Sequence, residues 1–188
     1  MHYPWDSNTH AIETQFFYGP SLLINPVTEE KSNSVSIYLP FDTWYDFFTQ
    51  MPVPHHAVGA KVVYNNVTDT DIPILVRGGS IIPLRTKSAM TTRALRNEDF
   101  ELVIAPDKDG NARGSLYLDD GESIEQDGVS EIEFTWNGET IRADGAFGFA
   151  TRVGVKSLSV LGAATQKYRL GEDLSGPWEH KAGDLERQ

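Results

Sequence analysis

Ser130-Glu131-Ile132-Glu133-Phe134-Thr135-Trp136-Asn137-Gly138-Glu139-Thr140-Ile141-Arg142-Ala143 decides the fold class. Ile132, Phe134 and Trp136 alternate with Glu131, Glu133 and Thr135. Successive side chains of a strand point to opposite faces, so this period of two gathers the apolar set on one face. Asn137-Gly138 then reads as a two-residue turn. Glycine accepts positive φ without a Cβ clash, and Asn tolerates it best among the others. Glu139-Thr140-Ile141-Arg142 returns as the second strand of a hairpin.

The same grammar extends in both directions. Asp109-Gly110, Asp120-Gly121, Asp127-Gly128 and Asp144-Gly145 punctuate the neighbouring runs with further turn pairs. Strands are expected at Ser34 to Leu39, Trp44 to Thr49, Lys61 to Tyr64, Ile72 to Arg77, Phe100 to Ala105, Ser115 to Leu118 and Arg152 to Leu161. Ile72-Pro73-Ile74-Leu75-Val76 is apolar almost throughout and reads as buried on both faces, with Pro73 near its start, where a missing N–H is tolerated. No stretch keeps an i, i+3, i+4, i+7 stripe for ten residues, and no repeat of 20–50 residues is visible. The polar segment Ser88 to Asn97 has room for one short helical turn.

These runs imply an all-β chain of two consecutive antiparallel β-sandwich domains. The first is expected over 30–87 and the second over 97–170, with a linker at 88–96 and a polar, mobile tail at 171–188. Residues 1–29 fit neither unit. Gln15-Phe16-Phe17-Tyr18-Gly19 and Leu22-Leu23-Ile24 read as short buried strands belonging to something larger.

Composition narrows the function classes. With 39% hydrophobic and 23% charged residues over 188 positions, the chain can build a core. The formal net charge of −11 repels phosphates and anionic lipid heads, so neither nucleic acid nor membrane is expected as a partner. A neutral ligand such as a sugar is compatible with that charge. The absence of cysteine removes disulfides, thiolate nucleophiles and cysteine-based zinc sites. No apolar run approaches the ~20 residues that cross a bilayer. The start, Met1-His2-Tyr3-Pro4-Trp5-Asp6, lacks the basic and apolar regions of a signal peptide. Asn66-Val67-Thr68 is a glycosylation sequon.

Each local cluster with chemical potential has a plainer structural reading. Hydrolysis of a glycosidic bond needs two carboxylates flanking it, ~5–5.5 Å apart for retention and ~6.5–9.5 Å for inversion. Asp119-Asp120-Gly121-Glu122 offers carboxylates, but Asp120-Gly121 reads as a turn, and adjacent strand residues point to opposite faces. Asp107-Lys108-Asp109-Gly110-Asn111 opens like a calcium loop. An EF-hand then requires glycine sixth and glutamate twelfth, where this chain has Ala112 and Leu118. His55-His56 has no further ligand at useful spacing. Phe16-Phe17-Tyr18 and Trp44-Tyr45-Asp46-Phe47-Phe48 could stack on sugar rings. As strands, Trp44 and Phe48 share one face and Tyr45 and Phe47 the other, the pattern of core packing between layers. No G-x-S-x-G elbow, P-loop or dinucleotide fingerprint occurs. Accordingly no catalytic, cofactor-binding or metal-binding residue is assigned, and no cofactor is expected.

Three segments, in order, resemble family 31 glycoside hydrolases, fungal α-glucosidases in particular. Gln15-Phe16-Phe17-Tyr18-Gly19-Pro20-Ser21-Leu22-Leu23-Ile24-Asn25-Pro26-Val27 is similar to the end of that family's (β/α)8 barrel. Val35 to Pro40, Trp44-Tyr45-Asp46-Phe47 and Ile72 to Pro83, with its Arg77-Gly78-Gly79-Ser80-Ile81-Ile82-Pro83 run, resemble the proximal β-domain. Gly114-Ser115-Leu116-Tyr117-Leu118-Asp119-Asp120-Gly121-Glu122-Ser123 resembles the distal β-domain. The resemblance implies that 1–29 is a short remnant of the barrel, and that the enzyme concerned is a retaining hydrolase of terminal α-linked glucose. The family's nucleophile lies in Trp-x-Asp-Met-Asn-Glu and its acid/base in Gly-Asp-Asn; neither motif occurs in this sequence. The expected role is structural support for a catalytic barrel of the same or a companion chain, with substrate met only through that barrel and no activity alone. The expected consequence is an apolar patch at Phe16, Phe17, Leu22, Leu23 and Ile24. The resemblance and the sequon together imply an extracellular or secretory-pathway protein. The competing expectation is a free-standing carbohydrate-binding module with a platform of exposed aromatics such as Tyr45 or Trp136.

Overall fold

The computed structural model describes residues 2–54 and 59–188, so Met1 and the His55-His56 pair lie outside the described residues. The regular structure of the described residues is almost entirely strand, and the chain divides into two compact units, Met1–Gly78 and Gly79–Gln188.

The first unit contains β1 (Phe16–Tyr18), β2 (Leu22–Ile24), β3 (Ser34–Leu39), β4 (Trp44–Asp46), β5 (Ala60–Asn65) and β6 (Ile74–Arg77). A four-stranded antiparallel sheet runs β1-β2-β6-β4, and β3 pairs with β5 alone. Leu23, Trp44 and Leu75 from the sheet share one apolar cluster with Ile37 and Leu39 of β3, all at most 1% exposed. Residues 1–29, expected to be the end of a barrel, contribute β1 and β2 to this sheet. Only Gly19-Pro20-Ser21 separates the two strands, with Gly19 at φ +63. So short a connection gives an antiparallel turn and leaves no room for the crossover helix that parallel barrel strands need.

The second unit contains β7 (Ser80–Arg85), α1 (Thr92–Leu95), β8 (Phe100–Ala105), β9 (Ala112–Leu118), β10 (Ser130–Trp136), β11 (Thr140–Phe147), β12 (Gly154–Val160), β13 (Gln166–Asp173), β14 (Trp178–Lys181) and β15 (Glu186–Arg187). The strands form one nine-stranded sheet in the order β14-β11-β10-β9-β7-β8-β12-β13-β15. Ile132, Phe134 and Ile141 lie in its first half; Leu102, Ile104 and Leu158 lie in its second. All six belong to one core. Opposite halves of a sheet share a core only if the sheet folds over itself into two layers. The fold-over is at β7. This strand pairs with β8 along its length but with β9 at only one position, Ser80 opposite Arg113. Pro83 therefore sits where β7 has no ladder partner on its β9 side, and its missing N–H costs nothing there.

The hairpin behaves as its pattern requires. Ile132, Phe134 and Trp136 are at most 5% exposed, while Glu131 and Glu133 face solvent. Truncating a side chain as buried as Phe134 costs about 3–5 kcal/mol. The turn is one residue later than the sequence suggests: Asn137 N–H donates to the Thr140 carbonyl, so Gly138 and Glu139 are central. Gly138, at φ +92, takes the first central position, where a type II′ turn requires glycine.

Two placements differ from the sequence expectation. Residues 80–85, read as the end of the first β-domain, are β7 of the second unit. Residues 171–188, read as a mobile tail, complete β13 and supply β14, paired with β11, and β15, paired with β13. Within 88–97, Thr91 caps the single helical turn of α1 by accepting from the Ala94 N–H at 3.2 Å.

Candidate functional site

The first unit organises a surface through the register of its four-stranded sheet. Phe17, Leu23 and Leu75 are paired across β1, β2 and β6 and turn to the core. Tyr18, Leu22, Val76 and Tyr45 form a row on the opposite face, and Phe16, Ile24 and Ile74 form the next. Seven side chains on that second face are thus aromatic or aliphatic. Val76 and Tyr45 are buried, but exposure grows toward the β1 edge, reaching 55% at Phe16 and 72% at Tyr18. Of the expected apolar patch, Phe16 is exposed, Phe17, Leu22 and Ile24 are half-buried, and Leu23 is core.

A polar node stiffens this sheet. The Arg77 Nε donates to Asp42 Oδ2 at 2.7 Å, and the Tyr3 hydroxyl donates to the same oxygen at 2.9 Å. The guanidinium also lies 5.2 Å from the centre of the Tyr3 ring. Burial, aided by the Asp42 charge, pushes the Tyr3 hydroxyl well above the ordinary tyrosine range. Burial works against the Arg77 charge and is the largest single influence on it, but the hydrogen bond to Asp42 and the charges of Tyr3 and Asp42 together outweigh it and raise the pKa. Arg77-Gly78-Gly79-Ser80 therefore has a mechanical reading: Arg77 locks the end of β6, and the chain passes into β7 through two glycines.

The acidic clusters are turn-formers. Asp120 Oδ1 accepts from the Glu122 and Ser123 backbone N–H groups and from Gln126 Nε2, while Oδ2 accepts from the Ser123 hydroxyl. Both oxygens are committed to the loop, and these bonds hold the carboxyl far below the usual range. Asp107 Oδ1 likewise accepts from the Asp109 and Asn111 N–H groups at 2.8 and 2.9 Å. Among the described residues, no group of three or more His, Asp or Glu is arranged to hold a metal ion. No helix of the described residues is long and apolar enough to cross a membrane.

The aromatics divide. Tyr45 and Trp136, the candidate sugar platform, are buried at 6% and 5% exposure, so neither offers a ring face to solvent. Phe48 does not share a face with Trp44 in a long strand. The strand ends at Asp46, whose Oδ1 accepts from the Phe48 and Thr49 N–H groups, and the resulting turn leaves Phe48 67% exposed. Sequence reasoning did not find the Tyr3–Asp42–Arg77 node. Its two hydrogen-bonded pairs, Tyr3–Asp42 and Asp42–Arg77, are 39 and 35 residues apart, and no local pattern links them.

Comparison with known proteins matches residues 1–82 to the model of the glycosyl hydrolase family 31 C-terminal domain. A probable α/β-glucosidase of Neosartorya fischeri is 47% identical over 173 residues, 92% of this chain and 19% of that protein. A probable α/β-glucosidase of Arthroderma benhamiae is 48% identical, covering 85% and 18%. An α-glucosidase of Aspergillus niger is 35% identical, covering 85% and 16%. The chain thus spans about a fifth of the length of its curated relatives. The fold is shared with the glucosidase II α subunit, at TM-score 0.71 and 23% identity over 89% of this chain and 22% of that one. It is shared equally with a family 31 α-xylosidase from Xanthomonas citri, at TM-score 0.71 and 22% identity over 96% and 21%.

Proposed function

We propose, from the premise that this chain carries the C-terminal region of a family 31 glycoside hydrolase, that its β-units are the noncatalytic support of an α-glucosidase barrel. The whole enzyme would hydrolyse terminal α-linked glucose with retention. The carboxylates of that reaction would come from the barrel, in the same or a companion chain, and this chain alone would be inactive. The sequence contains neither of the motifs that carry the family's two catalytic aspartates.

The observation that carries this reading is the apolar second face of the β1-β2-β6-β4 sheet, which ends in the exposed rings of Phe16 and Tyr18. A contiguous apolar face of this kind marks an interaction surface. The free-standing module is not favoured, since the aromatics proposed for its platform are buried. The sequon supports a secretory-pathway location: Asn66 is exposed and sits at φ +58 in the turn after β5.

The test is complementation. A relative truncated so that it retains its barrel but lacks this region is mixed with the chain, and maltose hydrolysis is assayed. The expected result is no activity from the chain alone, recovery in the mixture, and loss of that recovery with Phe16→Asp and Tyr18→Asp. Hydrolysis by the purified chain alone, or recovery indifferent to both substitutions, would sink the reading.

A further inference from the structure

A cavity of about 600 Å³ lies in the second unit, on the solvent face of β9, β10, β11 and β14. Its floor is one row of directly paired residues, Arg113, Thr135, Arg142 and Glu179. With strands about 4.8 Å apart, the row spans about 14 Å. Its lining reaches two loop tips through Asn111 and Asn137, and a Cβ added to Gly110 in the first would sit 4.0 Å from the Gly138 Cα of the second. Both tips are fixed internally. Asp107 ties down the first, and Asn137 Oδ1 accepts from the Glu139 and Thr140 N–H groups at 3.1 and 2.8 Å in the second. That use of Oδ1 leaves the Asn137 Nδ2 donors free to meet a ligand.

The polar groups are of both signs and only partly spoken for. Arg142 donates to Asp144 Oδ2 at 2.7 Å and so carries its counterion with it. Among the described residues, the Arg113 guanidinium and the Glu179 carboxylate have no hydrogen-bond or ion-pair partner. An anion here would meet Glu179, and a cation would meet two guanidiniums. A neutral polyol satisfies both kinds of group, because each hydroxyl donates and accepts, and vicinal hydroxyls suit the planar fork of arginine. The two loop tips are held before any ligand arrives, so the ordering cost of binding falls on the exposed Arg113 and Glu179 side chains.

We propose that this cavity is a binding site for a neutral saccharide, with Arg113 and Asn137 as donors and Glu179 as acceptor. The site lies wholly within residues 79–188 and does not depend on the support role of the first unit.

The experiment is a titration of the full chain with maltose, cellobiose and, separately, inorganic phosphate, followed by backbone amide shifts in NMR. The expected result is a saturable response to at least one disaccharide, centred on the amides of 135–140 and 179. Arg113→Ala and Glu179→Gln should each weaken it about tenfold or more, the loss expected for one hydrogen bond to a charged group. Both side chains are exposed, so an unchanged melting temperature verifies that each variant folds. No saturable response to either sugar, saturable binding of phosphate alone, or sugar binding indifferent to both substitutions overturns the proposal.

Discussion

Arg77 and Asp42 lie 35 residues apart in sequence, yet their side chains meet at 2.7 Å, and the Asp42 oxygen they share also accepts the Tyr3 hydroxyl. The pair is only partly accessible, with side-chain exposures of 32% and 19%. Removing one partner strands the other in a half-desolvated site. Arg77→Ala and Asp42→Ala are each expected to cost roughly 1–3 kcal/mol. Urea unfolding followed by tryptophan fluorescence measures this, and an unchanged midpoint in both variants would show that the node is ornamental.

Gly114 sits where β9 meets β7 at the fold-over of the second unit. A Cβ there would lie 2.0 Å from the Ile81 carbonyl oxygen, and that oxygen is backbone of a strand paired with β8 along its length. Gly114→Ala is therefore expected to destabilise by about 1–3 kcal/mol or more, by forcing the strands apart. Gly176→Ala is the control, since nothing lies within 4 Å of its added Cβ. Equal melting temperatures for the two variants would contradict a close approach at Gly114.

These positions show what the sequence could and could not convey. The β10–β11 hairpin was legible because one apolar face alternates with charge, and the strands at Ser34–Leu39 and Phe100–Ala105 have the expected bounds. The polar strands β13 to β15 gave no such signal. They lie at or beside the sheet edges, where alternating half-exposed charged residues such as Arg169 and Glu186 replace apolar periodicity. β7 was visible as apolar but not assignable to its unit, because which sheet it joins is decided by pairing with β8, downstream of the α1 segment. No local pattern signals the cavity either: its floor comes from four strands, and only their register brings Arg113, Arg142 and Glu179 into one row.

Tyr3 and Tyr64 should report on alkaline stability. Burial first, then the neighbouring carboxylates Asp42 and Asp46, push both hydroxyls above the ordinary value near ~10. A pKa raised by folding means that the folded state holds the proton more tightly than the unfolded chain. The associated stability is present in full below ~10 and is lost as pH rises beyond it toward the folded values. Phenolate absorbance should show Tyr3 and Tyr64 ionising late, together with a melting temperature that falls above ~10. A single uniform ionisation step near ~10 in the folded protein would refute the shared burial.

Asp120 gives the acid counterpart and separates a turn-former from a catalytic acid. Backbone N–H groups of Glu122 and Ser123, with the side chains of Ser123 and Gln126, all favour its charged form. A depressed folded pKa contributes stability above the ordinary value near ~3.9, and that contribution is lost as pH falls through the folded value. Carboxyl-carbon NMR should thus find Asp120 still ionised at pH ~3, where an ordinary aspartate is mostly protonated. A general acid for glycoside cleavage would show the opposite, a carboxyl held protonated near neutrality. Asp120→Ala should free the 120–126 loop, seen as faster amide exchange at Glu122 and Ser123, while the core amides of Ile132 and Phe134 stay protected. Protection at Glu122 and Ser123 that survives the substitution would mean the loop is held by something other than this carboxylate.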